Sequence, residues 1–211
     1  MYILKMTWLQ GGPYYEISFL LKNSEDKGKL LRSIISKINS QLAIELNHSI
    51  KELASRVLAF EQGEKDGLII RRNIELDAIT QISGTRKHRL FISELSEELI
   101  KLNFWFYGSL YDAKEWNQKG IRSIDKPAFI QFFKSAKVVL EPILGTIAYE
   151  EDCEELFMTD ILSPNKYFSI KNLNINSIKE RLNQNVNQYE YFWLGKGGIG
   201  NETKIEIQIK P

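Results

Sequence analysis

The spacing of apolar residues between positions 129 and 143 constrains the fold more than any other feature of the sequence. They recur at intervals that place them on one side of a helix: Phe129, Phe132, Phe133, Ala136, Leu140 and Ile143. Asp125 can cap the start of this helix, and Pro142 limits its end. A helix with one apolar side needs a second apolar surface to pack against.

The neighbouring segments predict strands that supply this surface. The aromatic run 103–107 precedes the helix, and the short segment 145–149 follows it. Aromatic and β-branched residues favour a pleated, buried surface, so Trp105 is expected in the core. The strictly alternating run 204–210 predicts a strand that forms a hairpin with 189–194. At the other end, the turn residues 10–13 predict a hairpin between 2–9 and 14–22.

Other segments predict further helices. Residues 23–26 form a polar helix entry, and Ser49 with Glu52 has capping-box spacing before a second helix. The buried side of that second helix is expected to hold Ile50, Leu53, Ala54, Val57 and Leu58. After a basic turn at 86–89, the apolar spacing of residues 92–102 predicts another helix, and Ser177 with Glu180 indicates a short one. The β-branched content of 68–82 favours a strand or hairpin, although a helix stays open there.

These elements predict a single α+β domain over residues 1–211. Its sheet is expected to be mostly antiparallel, with hairpins near both termini and about four or five helices packed on it. With 211 residues and 43% hydrophobic content, the chain can bury a sizeable core. The formal net charge of +1 removes the simplest case for nucleic-acid binding, which usually needs a basic excess.

Cysteine content and hydropathy predict a cytoplasmic protein. Cys153 is the only cysteine, whereas a secreted domain of this size more often carries several. The N-terminus lacks the basic and apolar parts of a secretion signal, and no run of about 18 apolar residues occurs. We therefore expect neither export nor a membrane partner.

One glycine-rich segment resembles a nucleotide site. The run 195–200 is similar to the start of the variant phosphate-binding loop in the ParA and nitrogenase-iron-protein class of ATPases. That loop continues with Lys and then Ser or Thr, whereas this chain continues with Asn201, Glu202 and Thr203. We therefore expect a hairpin turn and no nucleotide or other cofactor.

Single reactive residues give no catalytic motif. His48 and His88 lie outside any metal-ligand spacing, so each is expected at the surface or as a cap. Neighbouring carboxylates should raise the thiol pKa of Cys153, which makes it a poor nucleophile. The sequence predicts no metal ligand and no catalytic residue.

The main candidate site is the acidic rim, defined as Glu150, Glu151, Asp152, Glu154 and Glu155. It could bind a basic protein, hold a cation or a catalytic carboxylate pair, or be only the solvated first turn of a helix. Trp116, in a polar segment, is a second candidate for contact with a partner.

The leading hypothesis is a non-enzymatic protein-binding module that uses this rim, by analogy with small bacterial immunity or inhibitor proteins. The alternatives are a carboxylate-dependent or metal-dependent hydrolase and a homo-oligomeric structural protein.

Overall fold

The chain has an α+β fold in which helices pack on an antiparallel sheet. The computed structural model describes residues 14–66, 69–107, 124–156, 175–185, 189–195 and 205–208. Within them, eight strands form one sheet and two short strands form a separate pair. The predicted fold class is confirmed. The prediction of a single domain stays a prediction.

The elements follow one another in a simple order. The strands are β1 (Tyr14–Lys22), β2 (Glu45–Leu46), β3 (Glu64–Asp66), β4 (Ile69–Arg71), β5 (Asn73–Gln81), β6 (Thr85–Glu94), β7 (Leu99–Tyr107), β8 (Leu144–Tyr149), β9 (Tyr189–Leu194) and β10 (Ile205–Gln208). The helices are α1 (Lys27–Gln41), α2 (Ile50–Gln62), α3 (Lys126–Leu140), a 3₁₀ helix (Cys153–Leu156) and α4 (Ile175–Gln184). None of the helices in these described ranges is long and apolar enough to cross a membrane.

Strand β1 lies in the middle of the large sheet. The strand order is β10-β9-β8-β1-β7-β6-β5-β2, so β1 pairs with β7 on one edge and with β8 on the other. Both edges of β1 are therefore occupied along 15–20. The N-terminal hairpin predicted between 2–9 and 14–22 stays a prediction, because residues 2–9 lie outside the described residues. The C-terminal hairpin is confirmed, because β9 and β10 pair antiparallel.

Helices α1, α2 and α3 cover one face of the sheet, which we call the helix face. Phe133 of α3 packs against Phe19 and Tyr191, with ring centroids 4.9 Å apart in both pairs. Gly145 permits this approach, because a Cβ there would lie 2.7 Å from the Phe19 ring and 2.8 Å from the Phe133 ring. The predicted helix is confirmed with Phe129, Phe132, Phe133, Ala136 and Leu140 on its buried side, whereas Ile143 lies beyond its end and packs in a separate apolar cluster. Asp125 precedes α3 without a capping hydrogen bond and accepts one from Arg86 instead, at 3.4 Å.

The helix predicted over 92–102 is wrong, and so is the basic turn at 86–89. These residues form the antiparallel strands β6 and β7. Leu95 donates a backbone hydrogen bond to Leu99 across the turn between them, at 3.0 Å. The apolar residues that suggested helical spacing therefore sit on both sides of a turn. The strand prediction for 68–82 is confirmed, since β5 occupies most of that segment.

The capping box of α2 is confirmed, but its buried side was misassigned. Val57 and Phe60 are buried, whereas Ile50 is 89% exposed and Leu58 is 53% exposed. Ala54 is also exposed. Helix α2 contacts the core over a narrow stripe only. In α4, Ser177 lies inside a helix that begins at Ile175, so its predicted capping position is also wrong.

Candidate functional site

The face of the sheet opposite α1–α3, called the second face, carries polar residues inside its strands. In β1, Tyr15, Ile17 and Phe19 belong to the core of the helix face, so Glu16 and Ser18 point to the second face. In β7, the same alternation places Lys101, Asn103 and Trp105 there. One end of the second face is covered by the 3₁₀ helix and α4 through a small apolar core: Leu20, Leu144, Cys153, Leu156, Ile178, Leu182 and Phe192.

The acidic rim is fastened to the second face by Lys101. The Lys101 ammonium donates a hydrogen bond to Asp152 at 2.5 Å and a second one to Glu154. Burial alone would lower the pKa of Lys101, but these two carboxylates outweigh it and hold the pKa above its ordinary value. Asp152 and Glu154 are therefore paired inside the structure, unlike the freely solvated acids that the sequence suggested.

Two further contacts fix the backbone of the rim. The Cys153 N–H donates to the Ser18 hydroxyl at 2.8 Å, and that hydroxyl lies 2.7 Å from the Thr146 hydroxyl. The Tyr189 hydroxyl donates to the Asp152 carbonyl at 2.9 Å. Because Ser18 and Thr146 are fully buried, these bonds are shielded from water. The segment after β8 is consequently held at a defined position on the sheet.

The remaining three carboxylates, Glu150, Glu151 and Glu155, form the outer acids. Glu150 and Glu155 are exposed, and Glu151 is partly exposed. Within the described ranges, no outer acid forms an ion pair. Arg181 on α4 donates to the Glu155 carbonyl at 2.8 Å. The outer acids are thus presented by a fixed backbone, and no described cation pairs with their carboxylates.

The pKa values of Glu151 and Glu155 are both raised, first by lost hydration and then by neighbouring carboxylates. Loss of hydration raises the pKa of Glu151, and the carboxylates of Glu155, Asp152 and Glu150 raise it further. The pKa of Glu155 is also raised, by lost hydration and then by Asp152 and Glu154, although Lys101 and Arg181 act in the opposite direction. A cation brought to this surface would relieve that repulsion.

A buried carboxyl group lies beside the rim. Glu16 is 7% exposed and accepts a hydrogen bond from the Asn103 amide at 2.5 Å. Burial raises the pKa of Glu16 to about 7, which outweighs the opposing effect of Asn103. The Asp152 carboxylate adds to the rise, and Lys101 reduces it. Glu16 therefore changes charge near neutral pH.

Trp105 completes this part of the second face. It lies directly across from Glu16 in the β1–β7 register and is only partly buried, so the expectation that it belongs to the ordinary core is wrong. Its indole weakly favours the charged form of Glu16. The Nε1 atom forms no hydrogen bond of normal geometry with any described group.

Of the two histidines, His88 differs from the surface or cap position expected for it. His88 is fully buried on β6, and its ring lies 4.7 Å from Phe106 and 5.8 Å from Phe104. Burial lowers its pKa to about 3. His48 is half-buried and accepts the Asp77 N–H at 2.8 Å. The thiol pKa of Cys153 is raised as predicted, with burial as the larger cause and Asp152 as the next.

Several predicted features lie outside the described residues. They are Trp116, the segment 196–204 that contains most of the glycine-rich run, and the segment 157–174 after the rim. Among the residues that the structure does describe, no group of three or more His, Cys, Asp and Glu side chains is arranged to hold a metal ion. No protein-family model, curated protein or solved structure matches this chain.

The sequence prediction missed Lys101 and Glu16, which organise the site. Lys101 was placed on a helix, so its proximity to residues 152–154 could not be recognised. Glu16 lies within the predicted strand 14–22, and a carboxylate among apolar neighbours was the available signal. The remaining contacts depend on long-range strand pairing. Lys101 on β7 lies near the rim, which follows β8, because β7 and β8 both pair with β1.

Proposed function

We propose that this chain is a non-enzymatic protein-binding module, of immunity or inhibitor type, that acts in the cytoplasm and contacts a basic protein through its acidic rim. The supporting observation is that the carboxylates of the rim fall into two groups. Lys101 holds Asp152 and Glu154 against the sheet, and the outer acids are left to face solvent.

A fixed charged surface suits protein recognition for two reasons. Opposite charges steer a partner toward the surface and raise the association rate. Salt weakens this attraction, because exposed charges are screened beyond about 8 Å at physiological ionic strength. A backbone that is already ordered also loses little conformational freedom on binding. The Ser18 and Tyr189 hydrogen bonds provide this order.

The test begins with co-purification from the native host, with the neighbouring genes read at the same time to identify the partner. Association rates are then compared for the wild type and for a variant with Glu150→Gln, Glu151→Gln and Glu155→Gln. The matched control removes the same charge from exposed acids elsewhere, with Glu25→Gln, Glu45→Gln and Glu141→Gln.

The rim variant should associate several-fold more slowly at low salt and lose most of its salt dependence, while the control keeps both. Equal association rates for the rim variant and the wild type would contradict the proposal. The homo-oligomeric alternative stays a prediction that a solution mass measurement would test.

The second candidate function is a carboxylate-dependent hydrolase. The observation that favours it is Glu16, whose pKa of about 7 suits a general acid or base. The small exposed fraction of Glu16 favours a structural role instead. If the chain hydrolysed a test ester or phosphate and Glu16→Gln abolished turnover in a folded protein, the enzyme would replace the binding module.

A further inference from the structure

A row of three aromatic side chains crosses the second face next to the acidic rim. This aromatic strip consists of Tyr14 on β1, Trp105 on β7 and Phe91 on β6. The Trp105 ring centroid lies 5.1 Å from that of Tyr14 and 4.5 Å from that of Phe91. All three side chains are only partly buried. The strip is therefore a packed aromatic surface that keeps some contact with solvent.

The strip and the acidic rim are joined through the backbone. The N–H of Glu150, the first residue of the rim, donates to the Tyr14 carbonyl at 2.9 Å. Two more carboxyl groups border the strip, because Glu16 lies across from Trp105 and Glu75 lies across from Phe91. Aromatic faces surrounded by carboxylates attract cationic side chains, and aromatic residues dominate the binding energy of many interfaces.

Arg89 shows that a guanidinium group is accommodated beside the strip. It lies directly across from Trp105 on β6, and its Nη1 is 2.7 Å from a Glu75 oxygen. Its Nε is 3.5 Å from Asp77. Glu75 and Asp77 together carry one more negative charge than this arginine, so the three side chains still favour the approach of a second cation. Elsewhere in the chain, the Lys137 ammonium lies 5.3 Å from the centre of the Trp193 ring, which is a cation–π contact.

We propose that the aromatic strip holds an arginine side chain of the basic partner. This inference rests on the proposed function and divides the interface into two parts. The acidic rim governs the rate at which the partner arrives. The strip, where rings and carboxylates meet, governs how long it stays. Arginine fits better than lysine, because its planar group stacks on rings and pairs with carboxylates at once.

The first test uses N-acetyl-arginine amide as the probe and N-acetyl-citrulline amide as its uncharged control. The indole N–H resonance of Trp105 is assigned by its loss in Trp105→Phe and followed by NMR during titration of the wild type. The arginine compound should shift this resonance in a saturable way at millimolar concentration, and the citrulline compound should not. Equal responses to both compounds, or none to either, would overturn the inference.

The second test uses the partner identified by co-purification. Trp105→Leu and Phe91→Leu should each raise the dissociation rate about tenfold and leave the salt dependence of association unchanged. Each variant is first checked for a cooperative thermal transition, and the one that folds is used. An unchanged dissociation rate would overturn the role of the strip. The proposed function would still stand if the rim variant associated slowly, so the two failures are distinguishable.

Discussion

The two faces of the sheet are covered by different kinds of side chains. The helix face is closed by aromatic and aliphatic side chains from α1, α2 and α3. The second face buries Glu16, Ser18, Asn103 and Thr146 among its strands and fastens a charged segment on top of them. Buried polar groups cost stability unless they are paired. The helix face also buries Thr80 and His88, so the second face differs in using such groups to hold a charged segment, which indicates a role beyond packing.

The largest expected effect belongs to the helix face. Phe133 is fully buried against Phe19 and Tyr191. Phe133→Ala should reduce the free energy of unfolding by about 3–5 kcal/mol, because it removes buried area and leaves a cavity. Chemical denaturation measures this change. An unaltered midpoint would show that the helix face does not form the main core.

The next effect separates the two faces by pH, since Glu16 on the second face and His88 on the helix face both have shifted pKa values. The pKa of Glu16 is raised from 4.5 to about 7, so its contribution to stability is complete below pH 4.5 and is lost as pH rises through about 7. The pKa of His88 is lowered from 6.5 to about 3, so its contribution is complete above pH 6.5 and is lost as pH falls.

Glu16→Gln should therefore remove the loss of stability between pH 4.5 and about 7, an effect of up to about 3 kcal/mol. Below pH 4.5 the Glu16 contribution no longer changes, so the slope there, to which His88 contributes, should be the same in both proteins. Denaturant unfolding at a series of pH values measures both. If Glu16→Gln left the alkaline side unchanged, the buried carboxyl group would not titrate there.

A smaller effect is expected from the contact that fastens the rim. Lys101→Met leaves the carboxylates of Asp152 and Glu154 partly buried without a cation, which should cost about 2 kcal/mol. Adding Asp152→Asn and Glu154→Gln to that variant should restore most of the loss. Unfolding free energies of the single and triple variants provide the comparison. Failure of the triple variant to recover would indicate that Lys101 acts by packing instead.

The smallest effect has the opposite sign. Replacing the three outer acids with glutamine should change stability by no more than about 1 kcal/mol, in the stabilising direction, because neighbouring carboxylates repel them. A thermal melt at low salt measures the change. A destabilised rim variant would mean that the outer acids support the fold. The second face would then serve stability, as the helix face does.

The helix face was largely predictable from sequence, and the second face was not. The spacing of Phe129, Phe133 and Leu140 is a local property of one helix, so it could be recognised without knowing its partners. The pairing of Lys101 with Asp152 depends on β7 and β8 both flanking β1. Sequence periodicity carries no information about such distant pairing. The helix predicted over 92–102 also placed Lys101 on a helix, whereas it lies on strand β7.

The same reasoning explains the errors in individual residues. His88 looks polar in a basic run, but the alternation of β6 points it to the helix face. Ile50 and Leu58 fit the helical stripe of α2, yet the core buries Val57 and Phe60 and is otherwise contacted by the partly buried Leu53. Periodicity identifies which residues share a side of an element. Tertiary packing decides how much of that side is covered.

Carboxyl footprinting of the complex with the co-purified partner tests whether the outer acids lie in the interface. Carbodiimide-activated labelling with glycine ethyl ester, read by mass spectrometry, reports the accessibility of each exposed carboxylate with and without the partner. Binding should protect Glu150, Glu151 and Glu155 from labelling. Glu25 and Glu45 should be labelled to the same extent with and without the partner. Protection of Glu52 and Glu61 on α2, with the outer acids labelled as in the free protein, would place the interface on the helix side and contradict the proposed function.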